Sequence, residues 1–244
     1  MNPDRRVSVK VSQAKKLSDE DIDRIVELLK AVFKDDPFDA MLVGGDLSLQ
    51  PLQIRSTVEA AAIAGIVHIA SAPSLSQDAD NQKDGTTNPG QLVGVALSFG
   101  PGQALNATME QRAAGWDAFL GVIPESLRSW WDDYYGPLVS TGAKEAFGHD
   151  YRDRALKLSL FGVLPDHRGM GVGKALFLAI EDEAKQGRCP IVLQTQTETN
   201  VKIYTKLGFE TKKATVVESS FGCSDFWFME KRLRSGSSGR APDA

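Results

Sequence analysis

Cysteine and histidine are scarce in this chain, at two and three residues of 244. Cys189 and Cys223 cannot make a disulfide framework, so a reducing compartment, the cytoplasm, is the expected location. Neither cysteine has metal-ligand spacing and the histidines are scattered, so no metal is expected. Long apolar runs are missing as well. The longest, Ala60 to Ala70, contains His68 and falls short of the ~20 apolar residues that span a bilayer, so no membrane partner is expected. The opening stretch M-N-P-D-R-R-V-S-V-K has no apolar segment of the kind a secretory signal needs. Basic charge is not in excess: 28 Lys and Arg stand against 32 Asp and Glu, for a net charge of −4. That balance argues against a nucleic-acid partner. Hydrophobic residues at 42% and charged residues at 25% match an ordinary globular enzyme, long enough for one large domain or two small ones.

What is present alternates between helical and extended patterns and predicts a single α/β domain, a mixed central sheet flanked by helices. Ser18 and Asp21 have capping-box spacing, followed by a helical stripe of Ile22, Ile25, Val26, Leu29, Val32 and Phe33. Asp36-Pro37 is expected to end that helix. A second helix is expected from about Leu52 to Ala64, and strands over Ile66–Ala70 and Leu92–Phe99. The polar stretch from Ser74 to Gly90 reads as a loop, and residues 235–244 as a disordered tail. Between about 100 and 155 lies an insertion with helical patterns at Met109–Leu120 and Pro124–Tyr135, Pro124 suiting the first helical position. Its aromatics, Trp116, Phe119, Trp130, Trp131, Tyr134 and Tyr135, either fill a helical subdomain or wall a ligand pocket. The segment Asp36-Pro37-Phe38 is a second candidate wall. Two final strands, about Lys213–Ser219 and Asp225–Lys231, read as a hairpin turning at Phe221–Ser224.

Chemistry concentrates between Leu158 and Glu210. An apolar strand, Leu158 to Val163, is stopped by Pro165 and Asp166. Arg168, Gly169, Met170, Gly171, Val172, Gly173 and Lys174 follow, with a helix expected from about Lys174 and Gly187 at its far end as the C′ glycine. Glycines at a helix entry let main-chain N–H groups approach an anion, and the helix dipole adds to the attraction. Arg168 and Lys174 offer full positive charges. The stretch fits neither the P-loop spacing, since Arg168 stands where the first glycine belongs and Ala175 replaces the hydroxyl, nor the dinucleotide spacing, since its third glycine comes one residue early.

The spacing that fits is V-x-P-x-x-R-G-x-G-x-G over Val163–Gly173, followed by L-x-T-x-x-x-x-N-x-x-x-Y-x-x-x-G-F through Leu193, Thr195, Asn200, Tyr204, Gly208 and Phe209. In both motifs the chain resembles the GNAT superfamily of acetyl-CoA-dependent N-acetyltransferases, and its second half resembles small-molecule enzymes of the puromycin-acetyltransferase type. The close resemblance covers about a quarter of the chain. It implies a GNAT-like domain over 1–234 with its signature unit at 155–233. It implies acetyl-CoA as cosubstrate, its pantetheine arm against the main chain of Phe161, Gly162 and Val163. Its pyrophosphate would lie on the amides of Arg168 to Lys174, its arm would touch Asn200, and its sulfur would stand near Tyr204. The implied reaction is acetyl transfer to the primary amine of a small molecule by direct attack on the thioester.

The residue types suit that reaction. Main-chain N–H groups can stabilise a tetrahedral oxyanion, and a tyrosine hydroxyl can protonate a departing thiolate. Asn200 and Tyr204, four apart, share a helix face. Each also has a plain reading: Asn200 as a helix cap, Tyr204 as a half-buried aromatic. The general base is open, because the strand L-K-L-S-L-F-G-V contains no acid; Asp150, His149, Glu145, Glu218 and a water chain are the candidates. Two other functions stay in view: a protein lysine or N-terminal acetyltransferase, and a CoA-binding module without turnover. A homodimer is left open.

Overall fold

Ser18 opens the first helix with the capping box its spacing to Asp21 predicts: its hydroxyl accepts from the Asp21 N–H at 3.2 Å, and the Asp21 carboxylate accepts from the Ser18 N–H at 3.1 Å. Helix α1 (Asp19–Val32) then buries Ile22, Ile25, Val26 and Leu29, the one-sided stripe expected of a helix lying on a sheet. Asp36-Pro37 does the opposite of what was expected. α1 has already stopped, and the Asp36 carboxylate accepts from the Phe38 and Asp39 N–H groups, starting α2 (Pro37–Leu42) with Pro37 in its first turn. Proline lacks the N–H that a first turn leaves unpaired, so it begins a helix as readily as it ends one.

The computed structural model describes residues 8–73 and 90–233. Residues 1–7, most of the Ser74–Gly90 loop and the 235–244 tail lie outside the described residues. After β1 (Lys10–Ala14), α1 and α2 come α3 (Gln50–Ala64), β2 (Ile66–Ala72) and β3 (Gln91–Phe99). α3 begins two residues before the expected Leu52, and β2 runs two past Ala70. The insertion carries α4 (Met109–Gln111), α5 (Asp117–Val122), α6 (Glu125–Ser129), α7 (Gly136–Phe147) and α8 (Tyr151–Arg154). π-helical turns at Arg112–Trp116 and Trp130–Tyr135 join α4 to α5 and α6 to α7. The second helical pattern therefore continues to Phe147, beyond the expected Tyr135, and Pro124 is its N-cap, not its first residue. The chain ends with β4 (Leu156–Val163), α9 (Val172–Gln186), β5 (Ile191–Thr195), α10 (Glu198–Lys206), β6 (Glu210–Ser219) and β7 (Gly222–Lys231). β6 begins earlier than expected because it already pairs with β7 at Glu210↔Glu230, and β7 begins earlier because pairing persists to Ser219↔Gly222 and leaves a tight turn.

Among the described residues the strands form one mixed sheet of seven, ordered β1-β2-β3-β4-β5-β7-β6. All neighbours are antiparallel except β4 and β5. α1 and α3 cover one face over Val95, Leu97 and Phe99. α9 covers the other over Leu156, Leu158, Ile191 and Leu193. The insertion's α7 packs Ala143 and Phe147 on Phe226 and Phe228 of β7 beside Phe38 and Met41 of α2. Burying each such side chain contributes roughly 1.5–3 kcal/mol, so the insertion is part of the fold's core.

Candidate active site

The sheet is split where the signature begins. β4 and β5 pair in parallel only through Leu156↔Ile191, Lys157↔Val192 and Leu158↔Leu193. On its other side β4 pairs with β3 through Leu97↔Leu160 and then Ser98↔Leu158, so Ser159 is an extra residue. Such a bulge bends its strand and increases local twist. Beyond Ser159 the β4 main chain continues to Val163 while β5 ends at Thr195 along β7. Phe161, Gly162 and Val163 thus keep β3 as a strand partner and, among the described residues, have no strand on the β5 side, which leaves a main-chain edge that no strand covers.

The glycine loop sits at that opening. Gly169 and Gly171 have φ of +75° and +93°, left-handed values that favour glycine. A Cβ added at either would meet nothing within 4 Å, and one at Gly173 would sit 3.7 Å from Phe161 and 3.8 Å from Val163. α9 starts at Val172, two residues before the expected Lys174, because left-handed Gly171 serves as its N-cap. Gly171 supplies no side-chain cap, unlike Ser18, Asp36 and Thr197 at α1, α2 and α10. The N–H groups of the first turn of α9 have no intrahelical acceptor, and with the helix dipole they are the kind of geometry that suits an anion. Arg168 departs from expectation: its guanidinium donates to the Val163 and Val32 carbonyls, both at 3.3 Å, tying the loop to β4 and α1. At the far end Gly187 is right-handed, and Arg188, at φ +48°, takes the left-handed place expected of that glycine.

The Y-x-x-x-G-F string resolves into a helix stop. Gly208, at φ +90°, donates to the Thr205 carbonyl, and Phe209 donates to that of Tyr204, each at 3.0 Å. This is the Schellman pattern, with its usual apolar contact across the turn: the Tyr204 and Phe209 rings lie 5.4 Å apart, edge to face. Phe209 continues to Phe177 of α9 at 5.5 Å. Burial pushes the Tyr204 hydroxyl up to about 12, so it is protonated at neutral pH. Thr197, not Asn200, caps α10; its hydroxyl accepts from the Asn200 N–H at 3.1 Å. Asn200 is exposed one turn before Tyr204.

The acids expected as bases divide by position. Glu145, His149 and Asp150 precede β4, and the cleft opens at that strand's other end, about 25 Å away for eight extended residues. Asp150 is held by Arg154 at 3.0 Å and Glu145 by Lys213 at 2.8 Å. Glu218 is exposed at the hairpin end of β6. A carboxylate not anticipated from the sequence is Asp39. It is buried in α2 and accepts from the Gln50 side-chain amide, which also donates to the Phe33 carbonyl at 3.3 Å. Burial raises it to about 6, against the lowering effect of Gln50 and reinforced by Asp36. Its only sequence signal was a lone acid among the apolar residues of P-F-D-A-M-L. Among the described residues no group of His, Cys, Asp or Glu converges as a metal site.

A cavity of about 410 Å³ lies between the end of α2, α6 and the β6–β7 turn. Met41, Val43, Leu127, Trp130 and Phe221 form its apolar walls. Of the insertion aromatics, Trp130 lines it, whereas Phe119 is fully buried against Trp116 and Trp131. Asp36 and Phe38 do not line it, but α2 carries the wall onward from them. The β6–β7 turn was not anticipated as a wall, because only the paired strands bring it to α2.

Residues 133–211 match the acetyltransferase (GNAT) domain family. The fold is similar to that of a histone acetyltransferase HPA2 and related acetyltransferase from Corynebacterium glutamicum, at 19% identity, 94% of this chain, 99% of that chain and a TM-score of 0.57. It is similar too to arylalkylamine N-acetyltransferase 2 from Aedes aegypti, at 17% identity, 93% of this chain, 100% of that chain and a TM-score of 0.56. At such identities the likeness establishes the shared fold. Among the described residues no helix is long and apolar enough to cross a membrane.

Proposed function

We propose that this chain, whose residues 133–211 match the acetyltransferase (GNAT) domain family, transfers the acetyl group of acetyl-CoA to the primary amine of a small molecule. Acetyl transfer from acetyl-CoA follows from the family; the acceptor class and the residue roles are our reading. The observation that carries it is the uncapped, glycine-lined start of α9 placed where β4 parts from β5. The open loop positions fit a pyrophosphate, and the edge of Phe161, Gly162 and Val163, which no strand covers on the β5 side among the described residues, fits the amide groups of a pantetheine arm.

In this reading the amides from Arg168 to Lys174 hold the pyrophosphate, with Gly169, Met170, Gly171, Val172 and Gly173 keeping the approach clear of bulky groups. Lys174, exposed in the first turn of α9, adds charge. Arg168 acts by bracing the loop through the two carbonyls it already binds. Asn200, free of the capping role, contacts the cofactor arm. Acetyl-CoA supplies the activated acyl group. Tyr204 faces the leaving sulfur as a hydrogen-bond donor. Its raised pKa keeps the proton on oxygen, and a thiolate whose conjugate acid titrates at about 8.5 is too weak a base to take it outright. Stabilisation by partial donation in the transition state is the role this leaves. The amine loses its proton through water or a carboxylate at the cleft end of the molecule.

A cavity of about 410 Å³ with apolar walls favours a small acceptor over a peptide, since a peptide needs an extended groove. Calorimetric titration with acetyl-CoA tests the reading first. Micromolar binding that a Gly171→Val variant loses is the expected result; no binding to the unaltered protein would remove the enzymatic reading.

A further inference from the structure

The cavity between α2, α6 and the β6–β7 turn specifies its occupant, and we propose that it takes the acceptor as a compact hydrophobic monoamine. This rests on the acetyl-transfer reading above. A volume of about 410 Å³ is in the range of sites for single small molecules. Its surface is mostly apolar or aromatic. Serine hydroxyls supply the neutral polar groups, and among the described residues Asp46 is the one ionisable side chain that lines it. One carboxylate matches one ammonium group. A polyamine would bring further ammonium groups against Trp130, Phe221 and Leu127 with no counter-charge, and a free amino acid would bring a carboxylate with no cation to meet it.

The walls are held in place by ties between distant segments. The Trp131 indole donates to the Leu42 carbonyl at the end of α2, at 2.9 Å. The Trp130 indole donates to the Glu218 carbonyl at 2.7 Å, and the Tyr134 hydroxyl accepts from the Glu218 N–H at 3.0 Å. Gly44 and Gly45 turn the chain with φ of +62° and +78°. A Cβ at Gly45 would lie 2.5 Å from the Phe221 ring, so the absent side chain lets that ring close against the turn. Phe221 is nevertheless 58% exposed, a rim residue with one face available to a ligand. Asp46, also exposed, uses Oδ1 to accept from the N–H and hydroxyl of Ser48. Exposed and lining the cavity, it draws in the ammonium form of the amine, which passes a proton to water before its nitrogen attacks the thioester.

The cavity lies at the correct end of the sheet. Thr195, the last residue of β5, pairs with Trp227, and β7 reaches back a further five residues to Gly222 at the turn. That turn therefore projects past the end of β5 where β4 has splayed away. α2 runs over the same end, with Phe38 packed on Phe226 at 5.7 Å.

The test compares initial rates with 2-phenylethylamine, hexylamine, spermidine and a lysine-containing peptide, with acetyl-CoA affinity measured in parallel. We expect kcat/KM for the two monoamines to exceed that for spermidine and peptide by about 10-fold or more. Ser126→Trp inserts an indole into the cavity from an exposed position of α6 and should raise the monoamine KM by about 10-fold or more, with acetyl-CoA affinity unchanged. Asp46→Asn keeps an oxygen to cap Ser48 and removes the charge. It should lower kcat/KM for the amine several-fold, a deficit that shrinks as salt is added. Inhibition by 2-phenylethanol, the same body without the charge, should be unaffected. Preference for spermidine or peptide, turnover of no amine by protein that binds acetyl-CoA, or an unchanged KM in Ser126→Trp each overturns the pocket assignment. Absence of acetyl-CoA binding overturns the transfer reading itself.

Discussion

The indole of Trp130 donates to the main-chain carbonyl of Glu218 across 88 residues of sequence, and the Tyr134 hydroxyl accepts from the N–H of that same residue. Glu218 lies on β6, the outer strand of the sheet. Edge strands expose unpaired N–H and C=O groups, and here both main-chain groups of one residue are taken by insertion side chains. Trp130→Phe keeps a ring in the wall and removes the donor. Loss of one such bond costs about 1 kcal/mol, which for a chain of this size lowers Tm by roughly 2–4 °C. The monoamine KM should rise while acetyl-CoA affinity holds. A thermal melt with parallel kinetics checks both, and an unchanged KM would mean the tie stabilises the edge without shaping the cavity.

Gly171 offers a way to separate fold from ligand. Its side of the loop is open, so Gly171→Val meets no steric clash inside the protein. The left-handed conformation costs a β-branched residue about 1–2 kcal/mol, which the fold should tolerate. The new side chain points where the proposed pyrophosphate lies, and acetyl-CoA affinity should fall by roughly 10-fold or more. Calorimetry beside a denaturant titration tells the two effects apart. Full affinity in a folded variant would remove the loop from the binding site.

Tyr204→Phe preserves the ring contact with Phe209 and the Schellman turn that holds it. If the hydroxyl assists the leaving sulfur, kcat should drop by roughly 10- to 1000-fold, with acetyl-CoA affinity and Tm near those of the unaltered protein. Single-turnover kinetics would measure the chemical step directly. Unaltered turnover would reduce Tyr204 to a packing residue.

Asp39 should make stability fall with pH. Its carboxyl is raised from an ordinary value near 3.8 to about 6 by burial, so the folded chain binds the proton more tightly than the unfolded one. The favourable contribution is complete below pH ~4, declines as pH rises to ~6, and is gone above that. A two-unit shift corresponds to roughly 3 kcal/mol. Asp39→Asn keeps an oxygen for Gln50 and carries no charge. It should flatten the pH dependence of urea unfolding over that window and be more stable than the parent at pH 7. An unchanged slope would show that another group controls it.

Local signals in the sequence were read correctly where one turn of chain contains the whole cause. The Ser18–Asp21 capping box and the α1 stripe are such cases, since donor, acceptor and apolar positions all lie within the helix. Errors arose where one residue type serves two local ends. Asp36-Pro37 both terminates and initiates helices, and Thr197 and Asn200 are both competent N-caps. The glycine before Arg188 could have been the left-handed residue, but the turn placed Arg188 there. The sequence of β4 does not show which of its ends opens, so it cannot separate the acids that precede the strand from those at the cleft. Nothing in P-F-D-A-M-L shows that Gln50 will meet the Asp39 carboxyl.

By itself the sequence determined the periodic elements, the glycine loop between a strand and a helix, and the order in which Asn200, Tyr204, Gly208 and Phe209 follow. These depend on backbone preferences and on contacts within a few residues. Only the tertiary structure decided the splay of β4 from β5, the tie of Arg168 to the end of α1, the burial of Asp39, and the cavity walled by α2, α6 and the β6–β7 turn. Each of these arises from groups tens of residues apart in the chain. Desolvation, pocket shape and access to a free sheet edge are set by what packs around a residue, and that is a property of the folded assembly of elements.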